Sequence, residues 1–93
     1  MRKHRGVTED LVNMLEHPTA AIVQEKGCWA LINLAINDAN KVTIAARGGV
    51  EVIVAAMREH RTAEGVQKYG CGALCNLAEA AENRCAIAAA TSM

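Results

Sequence analysis

The chain contains no phenylalanine and has one tryptophan, one tyrosine and one proline among its 93 residues. This scarcity of aromatic residues argues against a β-sandwich or barrel, whose strands are enriched in aromatic and β-branched side chains. Eighteen alanines favour helices instead, because alanine has the highest helix propensity. The formal net charge is zero, so no global field attracts nucleic acid or an anionic membrane. We therefore expect neither as a partner.

Long hydrophobic runs are also missing from the sequence. No apolar run approaches the roughly 20 residues of a membrane span, and no signal-peptide core follows the basic residues 2–5. The four cysteines are scattered through predicted helices, which is typical of a reduced chain, so we expect an intracellular protein, cytoplasmic and/or nuclear. Cys28 and Cys71 are expected to be buried small hydrophobes.

Metal and cofactor chemistry receive little support from the sequence. Cys71 and Cys75 have helical spacing and could supply two zinc ligands, but a structural site needs four. The available additions, Cys85 and His60, are not at finger-like spacing. We expect no metal and no cofactor.

Catalytic residues are not recognisable in the sequence either. The pair Gly48-Gly49 is expected to end a helix, and it lacks the flanking Lys and Ser/Thr of a phosphate-binding loop. No nucleophile, base and orienting group assemble at any spacing, so we expect a non-enzyme. His17 and His60 are interpreted as helix-end residues that offset exposed carbonyl groups.

An internal repeat is the dominant feature that is present. The stretch "GCWALINLA" at 27–35 returns as "GCGALCNLA" at 70–78. Shifting the sequence by 43 residues aligns 1–50 with 44–93 without a gap, and twenty of the fifty pairs are identical. A 43-residue unit cannot bury its apolar faces alone, so such units stack on one another.

Hydrophobic periodicity and breaker residues predict the helices. Thr8 and Thr19 are expected to cap helices, and Pro18 is expected to separate the first from the second. The predicted helices span residues 8–16, 19–36, 40–47, 50–59, 62–80 and 83–90. Each unit then holds two short helices and a long one.

These residues resemble the armadillo repeat family, of the importin-alpha and beta-catenin kind. The matching motifs are Asn40, Ile44, Gly48-Gly49-Val50, "VEVIVAAM" and "WALINLA" from Trp29 to Ala35. The second copy keeps "GALCNLA", with Gly72 where the tryptophan would stand.

The resemblance implies an all-α, right-handed superhelix of about two repeats without capping repeats. Residues 1–93 are then one domain. Within it, 1–39 is a partial repeat without its first helix, 40–82 a complete repeat, and 83–93 the first helix of a following repeat.

For function, the resemblance implies a non-catalytic scaffold whose long helices line a concave groove for a partner protein or an extended peptide. In the family the asparagine amide pairs with the peptide backbone, and the indole flanks a bound Lys or Arg stem. Carried over, the groove residues are Trp29, Asn33, Asn76, Glu25, Lys26, Tyr69 and Gly72. The alternative is structural: Trp29 packs between helices and Asn33 bonds a neighbouring turn.

A second function class is self-association of a minimal or engineered armadillo fragment through uncapped ends. Residues 83–90 correspond to 40–47, the element expected before the first helix, so the tail of one molecule could fill that position in another. We expect a homo-oligomer, a dimer above all, through Val7, Leu11, Leu15, Cys85, Ile87 and Ala90.

Overall fold

The computed structural model describes residues 3–91, except for the side chains of residues 3–5, 85, 86 and 91. Six helices, joined by short turns, make up this range and no strand occurs in it, which confirms the predicted all-α class. The helices are α1 (Lys3–Glu16), α2 (Ala21–Leu34), α3 (Asp38–Ala46), α4 (Gly49–Glu59), α5 (Glu64–Leu77) and α6 (Ala81–Thr91).

Several predicted helix starts are wrong. Helix α1 begins at Lys3, so Thr8 lies inside it. The N-caps of α2 and α5 are Ala20 and Ala63, one residue beyond the predicted threonines, and neither makes a side-chain capping bond. Before α2, the Ala20 N–H donates to the His17 carbonyl (3.2 Å), and because of this turn the helix begins only at Ala21.

Two glutamines join helices at equivalent turns of the two copies that the 43-residue shift defines, the first being residues 1–43 and the second residues 44–93. Gln24 Nε2 donates to the carbonyl oxygens of Met14 (2.9 Å) and His17 (2.8 Å), which ties α2 to the end of α1. Gln67 makes the same two bonds, at 2.8 and 3.0 Å, to the carbonyls 43 positions later. The sequence repeat is therefore also a repeat of hydrogen bonds.

Two asparagines perform a similar role after α2 and α5. Asn40 Nδ2 donates to the Leu34 carbonyl, and Asn83 Nδ2 donates to the Leu77 carbonyl, both at 2.9 Å. Each bond satisfies a carbonyl at a helix C-terminus that has no partner within the helix. The turn into the next helix is held in the same way in both copies.

The core runs through the middle of the helix array. Gly27 and Gly70 bring paired helices close together, because a Cβ at either position would overlap the Met14 or Met57 side chain. The largest fully buried side chains are Met14, Leu31, Ile44, Ile53, Leu77, Val7, Val50, Val66 and Cys28. No helix in the described range is both long and apolar enough to cross a membrane.

Candidate functional site

Helices α2 and α5, which carry the predicted groove residues, pack side by side. Trp29 is 55 % exposed on α2. Together with Glu25, Lys26 and Tyr69 it lines a pocket of about 260 Å³. The structure thus brings four of the seven predicted groove residues together around one indole.

The electrostatics of this pocket combine aromatic faces with charges of both signs. The Glu25 side chain lies against Gly65 in the first turn of α5, where a Cβ would collide with it. Lys68 Nζ lies 5.5 Å from the centroid of the Tyr69 ring. The surface therefore already holds one cation over an aromatic ring, an attraction that arises from the ring quadrupole.

The two predicted asparagines differ in their surroundings. Asn33 is exposed, and its Nδ2 donates to the Trp29 carbonyl of its own helix (3.3 Å). Asn76 is half-buried, and its Nδ2 donates across the helix pair to the Ile32 carbonyl (3.0 Å). Its amide joins α5 to α2 through one N–H, which leaves the second N–H and the side-chain oxygen for a ligand.

Gly72, where a second tryptophan was expected, lies half-buried against α2. A Cβ there would be 2.9 Å from Ile32 Cδ1, the movable end of a flexible side chain. We therefore expect Gly72→Ala to raise the free energy of unfolding by about 0.5–1 kcal/mol, because alanine favours the helix. Denaturant titration measures this change.

Gly48→Ala is the matched control for that substitution. Gly48 has φ of 85°, a left-handed conformation that costs a residue with a Cβ about 1 kcal/mol or more. This variant should be destabilised. A loss of stability in Gly72→Ala of similar size would show that Ile32 cannot move aside.

The predicted self-association residues are only partly at the surface. Val7 and Leu11 are 0 % and 4 % exposed within the chain's own core, so they are corrected to core residues. Leu15 is 63 % exposed, and Ile87 and Ala90 are half-buried against the core. The side chain of Cys85 lies outside the described residues.

The cysteines differ between the copies. Cys28 is buried, and burial together with the nearby Asp10 carboxyl raises its thiol pKa to about 12. Cys71 is exposed, against the expectation of a buried thiol. Among the described residues, no three His, Cys, Asp or Glu side chains converge as metal ligands.

Asp10 is a partly buried ionisable residue, outside the Trp29 pocket, that the sequence reasoning missed. It lies in α1 at the position that the fully buried Ile53 takes 43 residues later. Its Oδ2 atom is buried without a hydrogen-bond partner in the described part of the chain, and burial raises its pKa to about 7. A comparison of each residue with its counterpart 43 positions later would have revealed a carboxylate where the second copy has an isoleucine.

Lys41 is a second buried charge that was not anticipated. The side chain is 4 % exposed, and its Nζ donates to Asp38 Oδ1 (2.9 Å) and to the Ile36 carbonyl (3.2 Å). Glu79 Oε1 lies 3.5 Å away in the second copy. The hydrogen bond to Asp38 is the main cause that raises the pKa of Lys41.

Chemically, this pocket offers the Lys26 ammonium together with an indole, a phenol and a carboxylate, and the last three are groups that hold a cationic side chain. Comparison with known proteins assigns no family to this geometry: a scan against family models and searches of curated proteins and solved structures found no match.

Proposed function

We propose that the chain is an armadillo-type, non-catalytic scaffold that holds an extended peptide of a partner protein along α2 and α5. Helices α2 and α5 begin and end 43 residues apart, and each has 14 residues. The motif "WALINLA" lies on the first of these helices. A right-handed superhelix with a concave groove is part of the same proposal.

The exposure of Trp29 is the observation that carries this proposal. A large aromatic side chain more than half exposed on a helix surface is a feature of binding sites, and tryptophan is enriched among binding hot spots. Tyr69 and Glu25 lie in the same pocket. Such a pocket favours a Lys or Arg side chain of the peptide, with its stem on the indole and its charge near the carboxylate.

Titration with a labelled, extended Lys/Arg-rich peptide tests the proposal. We expect Trp29→Ala to weaken binding about tenfold or more, since hot-spot truncations cost about 2 kcal/mol. Anisotropy of the peptide label measures the affinity in every variant. In the unsubstituted chain the fluorescence of the single tryptophan should also change on binding.

Ile22→Ala supplies the matched control, because Ile22 is 57 % exposed on the same helix and does not line the Trp29 pocket. Its affinity should stay unchanged, and a peptide with alanine at the basic positions should bind weakly. Binding that survives combined Trp29→Ala and Asn33→Ala substitution would refute the proposed groove.

A further inference from the structure

We propose that a second copy of this chain docks head to tail, with the outer face of its α1–α2 pair on the outer face of α4–α5. The head face is the side of α1 and α2 that carries Val12, Asn13, Glu16, Ala30 and Asn33. The tail groove, of about 620 Å³, is the recess lined by Val54, Met57, Arg58, Arg61, Gln67 and Leu74.

The contact between the two copies inside the chain supplies the template. There α4 packs on α1 around a small cleft of about 150 Å³. The first copy contributes Met14, Leu15, Pro18 and Gln24 to this cleft, and α4 contributes Val52, Ala55, Ala56 and Glu59.

Both sides of this internal contact recur at the outer faces of the molecule. The four cleft residues of the first copy have as counterparts, 43 positions later, Met57, Arg58, Arg61 and Gln67 of the tail groove. The four cleft residues of α4 have as counterparts, 43 positions earlier, Glu9, Val12, Asn13 and Glu16, which line the outer groove of α1. These four head positions therefore correspond to the four that the tail groove's template receives inside the chain, while Trp29, which also lines the head groove, stands where the template has Gly72.

Burial differs between the copies in the way that such docking explains. Leu31 and Cys28 are 0 % exposed. Their counterparts Leu74 and Cys71 are half-buried and exposed, respectively. The tail therefore leaves partly or fully exposed two residues whose identical counterparts in the first copy are buried.

Three hydrogen bonds that cross between the copies also support head-to-tail docking. Asn76 donates to the Ile32 carbonyl (3.0 Å), and Asn83 Nδ2 donates to the Lys41 carbonyl (3.0 Å) in addition to its bond within the turn. The His60 ring donates from Nε2 to the Pro18 carbonyl (2.8 Å).

The counterparts of these three donors are the same residue types, Asn33, Asn40 and His17, and they belong to the first copy. Within residues 3–91 none of their side chains bonds to the second copy. In a docked pair they meet the carbonyls of Cys75, Arg84 and Arg61 of the other molecule, by the same 43-residue correspondence.

Charge distinguishes the head-to-tail contact from the internal one. Inside the chain Glu59 faces the uncharged Leu15 and Pro18. At the tail these two positions are Arg58 and Arg61, so Glu16 of the docking molecule meets two guanidinium groups. Complementary charges at an interface favour one partner and one register.

A head-to-tail contact leaves a free head and a free tail, so it continues into longer assemblies or closes into a ring.

Sedimentation velocity across a concentration series tests the proposal with charge reversals. The mass of the unsubstituted chain should rise with concentration past that of a dimer. Glu16→Lys alone and Arg61→Glu alone should each weaken association about tenfold, because an attractive rim pair becomes repulsive. Mixing the two variants should restore association, since each reversed face then meets its complement.

Glu59→Lys makes the same charge change at the internal counterpart and should leave association unchanged. Circular dichroism of each variant checks that the helices persist. A single-chain mass at all concentrations would overturn the proposal. So would mixing that fails to restore association, because a two-fold pairing of like faces predicts that result.

Discussion

Asp10→Ile is expected to raise the free energy of unfolding by about 2 kcal/mol at pH 8. The repeat places isoleucine at the counterpart, Ile53, which is fully buried. The substitution removes a partly buried carboxylate whose Oδ2 has no hydrogen-bond partner among the described residues, and it adds apolar burial. The gain in unfolding free energy is limited because solvent still reaches part of the Asp10 carboxyl group.

The same residue predicts a pH dependence of stability. Burial raises the pKa of Asp10 from 3.8 to about 7 in the folded chain, so folding favours the protonated form. Its contribution to stability is complete below about pH 4 and is lost as the pH rises through 7. Denaturant titrations at pH 5 and pH 8 should show this loss in the unsubstituted chain and not in Asp10→Ile.

Asp10→Asn is the control that keeps the size of the side chain and removes its charge. It should lose the same pH dependence while gaining less stability than the isoleucine variant, because the buried amide still needs partners. If the free energy of unfolding differed between pH 5 and pH 8 by the same amount in both variants as in the unsubstituted chain, Asp10 would be solvated in the folded chain.

Gln24→Leu is expected to lower the free energy of unfolding by about 3 kcal/mol. The side chain is 2 % exposed and satisfies two backbone carbonyls, those of Met14 and His17. Leucine has a similar size but no donor, so both carbonyls lose their partner at the end of α1. Chemical denaturation followed by circular dichroism measures the loss.

The counterpart substitution, Gln67→Leu, gives a matched comparison. Gln67 makes the same two bonds but is half-buried, so water can replace part of what is lost and the cost should be about 1–2 kcal/mol. Equal small effects in the two variants would contradict the role assigned to Gln24. In a head-to-tail assembly Gln67 becomes covered, so the difference should shrink as concentration rises.

The repeat and the helical class were predictable because they depend on local signals. Alanine content, breaker residues and the 43-residue identity lie directly in the sequence. The helix starts were less accurate. Thr19 was expected as a cap and Thr62 as the start of a helix. The backbone turn after His17 moves the first cap to Ala20, and the cap of α5 is Ala63.

For the candidate site, the sequence identified residues but not their partners. Trp29 and three of its predicted neighbours do line one pocket. The bond from Asn76 to the Ile32 carbonyl was not predictable, because it depends on how closely α5 approaches α2. The same holds for Val7 and Leu11, whose burial is decided by the neighbouring helices.

The sequence by itself determined that the molecule is two copies of a helical unit, since identity at a constant spacing needs no coordinates to be recognised. Only the tertiary structure decided which member of each identical pair is covered. Cys28 is buried while Cys71 is exposed, and Asn33 stays on its own helix while Asn76 crosses to the next. The physical reason is that a stack has two sides, and two equal residues meet different neighbours at its opposite ends.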